Sequence, residues 1–263
     1  MKIRPKKSLG QNFLIDKNII KIITELGNLN KNDNVLEVGP GTGNLTENIL
    51  EKKPKKIIVI EKDHQLSINL RERFGNKIKI INDDILNINE NKICENAMTV
   101  FGNLPYNISS QILIKWIKLK NLNSFSNKLI LMFQKEVANR IIAKLNCKDY
   151  GRLSIFVSWR MKVEKIKDIS PNSFYPSPKV DSTLLTLIPK KNYIKFKNPK
   201  NLEHITNIFF NQRRKMIKKP LKLLFKNYKK IIQKLKLNIN LRPQNLSPEK
   251  YFEICTEYEK LLK

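Results

Sequence analysis

From residue 35 to residue 142 the chain repeats one unit, a short β-branched or aliphatic run followed by an amphipathic helical stretch. Val35–Val38 leads through a glycine-rich turn into a helix from about Leu45. Lys56–Ile60 precedes a helical pattern through Leu66, Leu70 and Phe74, and Ile78–Ile81 is a third strand. Met98–Phe101 is followed by Ile112, Leu113, Trp116 and Ile117 at helical spacing. Leu129–Phe133 is followed by a helix through Val137 and Ile141. Such alternation requires right-handed crossovers and predicts an α/β, Rossmann-like doubly wound parallel sheet.

The rhythm then changes. Leu153–Trp159 and Ser182–Leu187 read as two late strands that pair, joined by a proline-rich loop over 170–179, so the sheet should end in an antiparallel strand. Pro189 and the polar run after it read as a linker, and from about Asn201 the pattern is helical and Lys-rich. The expected division is a first domain over 1–190 and a small α-helical domain over 191–263.

The 263 residues carry a formal net charge of +28, which points to a polyanionic partner, nucleic acid first. Only nine of the 51 basic residues are Arg, however, so part of the charge has the look of compositional drift. Cys94, Cys147 and Cys255 are far apart and without C-x-x-C spacing, which predicts a reducing compartment and neither disulfides nor a zinc site. His64 and His204 share no metal-ligand spacing, and no metal is expected. The basic N-terminus lacks the apolar stretch of a signal peptide, and no apolar run approaches the ~20 residues that span a bilayer. A cytoplasmic protein without membrane contact is expected.

In VLEVGPGTGNLT (Val35–Thr46), Gly39, Gly41 and Gly43 occupy the turn from the first strand to the first helix, where glycine permits positive φ and close approach of a ligand. Glu61 ends the second strand, 22 residues after Gly39, where a carboxylate can take both hydroxyls of a ribose. Asp84 ends the third strand beside it. All three lie at the carboxyl edge of the sheet, where open α/β folds bind ligands. The spacing is G-x-G-x-G rather than the G-x-G-x-x-G that seats a pyrophosphate. A nucleoside without phosphates fits better, with S-adenosylmethionine as the candidate cofactor.

The fourth strand brings FGNLPYNIS (Phe101–Ser109) to the same edge. These residues include no histidine, carboxylate or obvious nucleophile. An exocyclic adenine amine would need none, because its lone pair is delocalised and must be held and turned rather than deprotonated. The Asn103 side-chain oxygen and the Leu104 carbonyl can each accept one N–H, Pro105 fixes the backbone, and Tyr106 offers a face for an extruded base. A structural reading competes, in which Asn103 caps the helix near Ser109 and Tyr106 packs in the core. In the C-terminal part, Arg213, Arg214, Lys215, Lys218 and Lys219 are the candidate RNA-binding residues. Met216, Ile217, Leu221, Leu224 and Phe225, at helical spacing broken at Pro220, should face a core. Lys6 and Lys7 can add to the basic surface, and the Lys52–Lys56 run reads as a solvated turn.

KSLGQNFLID (Lys7–Asp16), EVGPGTG (Glu37–Gly43), FGNLPYNIS, QKEVA (Gln134–Ala138), YGRLS (Tyr150–Ser154), FYPSPKVDS (Phe174–Ser182) and FNQRRK (Phe210–Lys215) together resemble the KsgA-type ribosomal RNA adenine dimethyltransferases. The resemblance covers nearly the whole chain. It implies a class I methyltransferase that dimethylates N6 of two adjacent adenosines in the loop of the 3′-terminal hairpin of small-subunit rRNA, working as a monomer on a pre-30S particle. It also implies that Asn12 and Leu14 line the cofactor's entrance, with Gly39, Gly41, Glu61, Asp84 and Asn103 completing the site, and that Phe174 faces Tyr106 across the target base. Two alternatives stay open: a large-subunit rRNA adenine methyltransferase of the antibiotic-resistance kind, which shares the glycine loop and an N-[LI]-P-[YF] box, and a non-catalytic ribosome-assembly factor on the same fold.

Overall fold

The structure is a computed structural model that describes residues 5–93 and 96–262; Cys94 and the side chain of Lys7 lie outside the described residues. In chain order the elements are β1 (Phe13–Leu14), α1 (Lys17–Gly27), β2 (Asn34–Val38), α2 (Asn44–Glu51), β3 (Lys56–Ile60), α3 (His64–Phe74), β4 (Lys79–Ile81), α4 (Glu90–Ile93), β5 (Met98–Asn103), α5 (Ser109–Ile117) and α6 (Leu122–Phe125). They continue with β6 (Ser126–Gln134), α7 (Lys135–Ile142), α8 (Arg152–Arg160), β7 (Met161–Ile169), β8 (Phe174–Tyr175), β9 (Ser182–Pro189), α9 (Pro199–Phe210), α10 (Lys218–Leu224), α11 (Tyr228–Leu235) and α12 (Pro248–Glu259).

Seven strands form one sheet in the order β4-β3-β2-β5-β6-β9-β7. β4 through β6 pair in parallel, and β9 runs antiparallel to β6. The chain winds outwards from β2 to β3 and β4, then returns to β5 on the other flank of β2. The carboxyl ends of β2 and β5 therefore border the crevice where such folds take ligands. Both sheet faces are covered: Val35, Leu36, Ile58, Val59, Val100 and Phe101 are all buried. This is why the central strands read as unbroken apolar runs. A separate two-stranded ribbon pairs β1 with β8, Leu14 opposite Phe174.

The expected strand over Leu153–Trp159 is instead helix α8. Ser154 Oγ accepts from the Gly151 N–H at 2.9 Å and donates to its carbonyl, closing the first turn. Burial from Ser154 to Val157 and again at Trp159 and Arg160 removes the polar stripe that marks a surface helix. The strand that pairs late in the sheet is β7, whose sequence MKVEKIKDI is mostly polar because it lies at the sheet's edge, where lysines discourage pairing with other chains.

The chain divides into two compact units, Met1–Ala138 with Val163–Pro189, and Asn139–Lys162 with Lys190–Lys263. Residues 139–162, expected within the first domain, thus group with the C-terminal helices. The reason is packing inside that second unit, where α8 lies against α9 and α12. Trp159 stacks on Phe196 at 5.0 Å and donates its indole N–H to the Ile194 carbonyl. The Glu259 carboxylate accepts from the N–H groups of Lys197 and Asn198 just ahead of α9. Among the described residues no helix is long and apolar enough to cross a membrane.

Candidate active site

The register of the sheet assembles the site. Val38, Ile60 and Gly102 lie in one row across β2, β3 and β5, so the next residues along, Gly39, Glu61 and Asn103, emerge side by side. They border a cavity of about 120 Å³ that Asn12, Gly41, Asp84, Leu104, Pro105 and Tyr106 also line. Gly39 and Gly41 have φ of +71° and +57°. A Cβ on Gly39 would come within 3.2 Å of the Asn103 carbonyl oxygen, and one on Gly41 within 2.8 Å of the Phe13 ring. Glycine there is a requirement of both backbone and space.

Glu61 is buried, and its two carboxylate oxygens accept from the Gly41 N–H at 3.1 Å and the Asp63 N–H at 2.9 Å. Burial raises its pKa, and those two hydrogen bonds oppose the rise. Asp84 is partly buried, which works to raise its pKa. The Leu86 N–H and the Lys62 ammonium at 2.9 Å prevail and hold it below the usual carboxylate value. Asn103 donates its Nδ2 to the Asn12 carbonyl at 2.7 Å. The amide is thereby oriented with Nδ2 tethered and Oδ1 left as a free acceptor. The capping alternative is thus set aside, since α5 has no side-chain cap. Tyr106 is half-buried and fixed through its hydroxyl to Ser182 Oγ at 2.5 Å.

Two expected residues sit differently. Leu14 is buried and reaches only a small adjoining pocket, which it shares with Glu37, Asn44 and Asn103. Phe174 is not among the residues that line the cavity with Tyr106. Its ring is 2% exposed in the core beside Leu14, Ile169 and Leu184, and its neighbour Tyr175 is the exposed aromatic, at 59%. Pairing with β1 turns Phe174 inwards, and alternation along a strand turns Tyr175 out.

The sequence reading passed over several residues at the site. Glu37, on β2, is fully enclosed and donated to by the Thr46 hydroxyl at 2.6 Å. Burial pushes its carboxyl up to about 7 against that hydrogen bond, with the Glu61 charge adding to the rise. It lies inside the EVGPGTG motif, so its place before the glycine turn was the available signal. The segment Ser8–Phe13 forms one wall of the cavity, and Lys6 and Gln11 fasten it to Asp63 at 3.0 and 2.9 Å.

Within the second unit, Arg214, Lys215, Lys218 and Lys219 are exposed. Arg213 is spent on the fold, since its Nε donates to Gln244 at 3.0 Å and its guanidinium also donates to the Lys148 carbonyl. Pro220 lies in the first turn of α10 rather than breaking a helix, and Met216, expected in the core, is 56% exposed. Among the described residues no cluster could hold a metal ion.

The family described as ribosomal RNA adenine dimethylase matches residues 3–260. A ribosomal RNA small subunit methyltransferase A from Pelagibacter ubique (strain HTCC1062) is 55% identical over 261 residues, 99% of either chain. The protein of that name from Wolbachia sp. subsp. Drosophila simulans (strain wRi) is 40% identical over 98% of this chain and 95% of its own. Among solved structures, a dimethyladenosine transferase from Plasmodium falciparum matches with a TM-score of 0.78 and 28% identity, over 94% of this chain and 98% of that one. The 23S rRNA methyltransferase ErmE shares the fold, with a TM-score of 0.70 and 21% identity over 94% of this chain and all of the other. Matched along nearly its whole length, the chain belongs to the ribosomal RNA adenine dimethylase family.

Proposed function

We propose that this chain transfers methyl groups from S-adenosylmethionine to N6 of adenosines in small-subunit rRNA, two on each of two adjacent adenosines in the 3′-terminal hairpin loop. It does so as a monomer on a pre-30S particle in the cytoplasm. The observation that carries the reading is the orientation of Asn103. With Nδ2 bound to the Asn12 carbonyl, Oδ1 remains as an acceptor on a cavity that also has a ribose-binding carboxylate at Glu61.

The residues present fit the cofactor. The cradle at Gly39 and Gly41 has no room for side chains, Glu61 keeps lone pairs for two ribose hydroxyls, and Asp84 accepts from an adenine amine. When bound, S-adenosylmethionine supplies an electrophilic methyl group on a sulfonium. Asn103 Oδ1 and the Leu104 carbonyl, which has no hydrogen-bond donor among the described residues, would each accept one N–H of the target amine and draw its lone pair out of the ring plane. Tyr106 would hold the extruded base by stacking, its ring steadied by Ser182. The proton leaving N6 goes to water. Such catalysis is mostly positioning.

The small-subunit substrate is favoured because relatives 40–55% identical carry that name, while the 23S enzyme shares only the fold. The test supplies labelled S-adenosylmethionine with unmethylated small subunits and, in parallel, with large subunits, and maps the modified bases. Label on the two adjacent loop adenosines is expected. Product on large-subunit RNA instead, or on neither, would overturn the proposal.

A further inference from the structure

Gln134 closes β6 in register with Ser182, the residue that fixes Tyr106. It lines an open cleft with Asn12, Tyr106 and Asn107, yet it is not part of the wall of the cofactor cavity. Its side-chain amide is half-buried and makes no hydrogen bond among the described residues. The adjacent Lys135 is turned elsewhere, bound to Asp181 at 3.1 Å and Asp168 at 3.3 Å. A neutral donor–acceptor therefore waits, unpartnered, next to the ring on which a base would stack.

Resting on the rRNA adenine reading above, we propose that Gln134 holds the target base by donating to a ring nitrogen, N1 or N7, and that this hold matters most for the second methyl transfer. Unmodified adenine presents two N6 hydrogens to two acceptors, Asn103 Oδ1 and the Leu104 carbonyl. The first transfer replaces one hydrogen with a methyl group, so one acceptor is left without its donor. The ring nitrogens remain acceptors throughout. A donor aimed at one of them makes the hydrogen bond that methylation does not remove, and it carries a larger share of the grip on monomethyladenine.

The test quantifies mono- and dimethyladenosine over time on unmethylated small subunits, with the unaltered enzyme and with Gln134→Met, which keeps length and loses the donor. The variant is expected to slow the second transfer ~10-fold and the first less than ~3-fold, so that monomethyladenosine accumulates, with cofactor affinity unchanged. Equal slowing of both steps, no slowing, or weakened cofactor binding would overturn the role. As a check independent of the variant's folding, the unaltered enzyme acts on small subunits carrying 1-deazaadenosine or 7-deazaadenosine at the target. One of the two should reproduce the monomethyl arrest, and arrest with neither refutes the proposal. If the unaltered enzyme makes no methyladenosine at all, the underlying function fails with it, whereas normal dimethylation without arrest removes only Gln134.

Discussion

The sharpest perturbation of the site separates the aim of Asn103 from its mere presence. Asn103→Ala removes the acceptor Oδ1 and the tether from Nδ2 to the Asn12 carbonyl together. Asn103→Asp keeps an acceptor of the same size but loses the donor, and it sets a negative oxygen against that carbonyl 2.7 Å from the former nitrogen. If catalysis depends on a fixed acceptor, both variants should lose ~10²–10³-fold in kcat, as expected for one preorganised polar group at a reacting centre. The cost to the fold is one hydrogen bond, about 1 kcal/mol, which lowers Tm by ~2–4 °C in a protein of this size. Single-turnover methylation of small subunits gives the rate, and calorimetric titration with S-adenosylmethionine gives the affinity. Asn103→Asp at near-normal rate would refute the need for the tether. A rise in cofactor Kd matching the fall in rate would make Asn103 a cofactor residue instead.

Burial raises the Glu37 pKa to about 7, so the folded chain keeps a proton that the unfolded chain releases near pH 4.5. The associated stability is present below that pH and lost as pH rises towards 7, on the order of 3 kcal/mol. Glu37→Gln should therefore gain in Tm over the unaltered chain at pH 8 and little at pH 4.5; equal differences at both would contradict an ionising Glu37. Gly41→Ala should weaken cofactor binding and cost about 1–2 kcal/mol of stability from its positive φ alone. The clash with Phe13 adds to that cost, so in a Phe13→Ala background Gly41→Ala should cost measurably less, and strict additivity by denaturant unfolding would count against the clash. Replacing Arg214, Lys215, Lys218 or Lys219 by Ala should weaken rRNA binding and make its salt dependence shallower by about one unit for each phosphate no longer neutralised. Arg213→Ala should instead lower Tm, because its guanidinium is engaged with Gln244 and Lys148; unchanged Tm with weakened binding would reverse that assignment.

What the sequence discloses depends on where each segment is buried. The central strands are covered on both faces and announce themselves as apolar runs, and the row of residues at their carboxyl ends follows from knowing where each run stops. Helix α8 fails the same test because burial nearly all round leaves it without a polar stripe, and β7 fails it because an edge strand rich in lysine looks like a loop. Phe174 and Tyr175 show how register decides. In sequence they are adjacent aromatics of equal promise, and only the pairing of Leu14 with Phe174 says which one turns inwards. The bonds of Arg213 to the fold are hidden from the sequence for a related reason, since its partners Gln244 and Lys148 are far away along the chain and come close only through the fold.

Charge placement around the cavity supports a reaction driven by aim. Each carboxylate on its wall already has donors: Glu61 takes two backbone N–H groups, and Asp84 takes the Leu86 N–H and the Lys62 ammonium. Asp63, behind the wall, takes Lys6 and Gln11. None is left poised as a base for an amine, and among the described residues no histidine lines the cavity. The acceptors that remain near Tyr106 are neutral, Asn103 Oδ1 and the Leu104 carbonyl. A neutral oxygen can turn a delocalised lone pair outwards without pairing with the cationic donor that the same cavity must hold, whereas a free carboxylate there would bind the sulfonium and leave the amine unaimed. An amide, a proline and an aromatic ring at the end of β5 supply orientation and leave the electrostatic work to carboxylates two and three strands away.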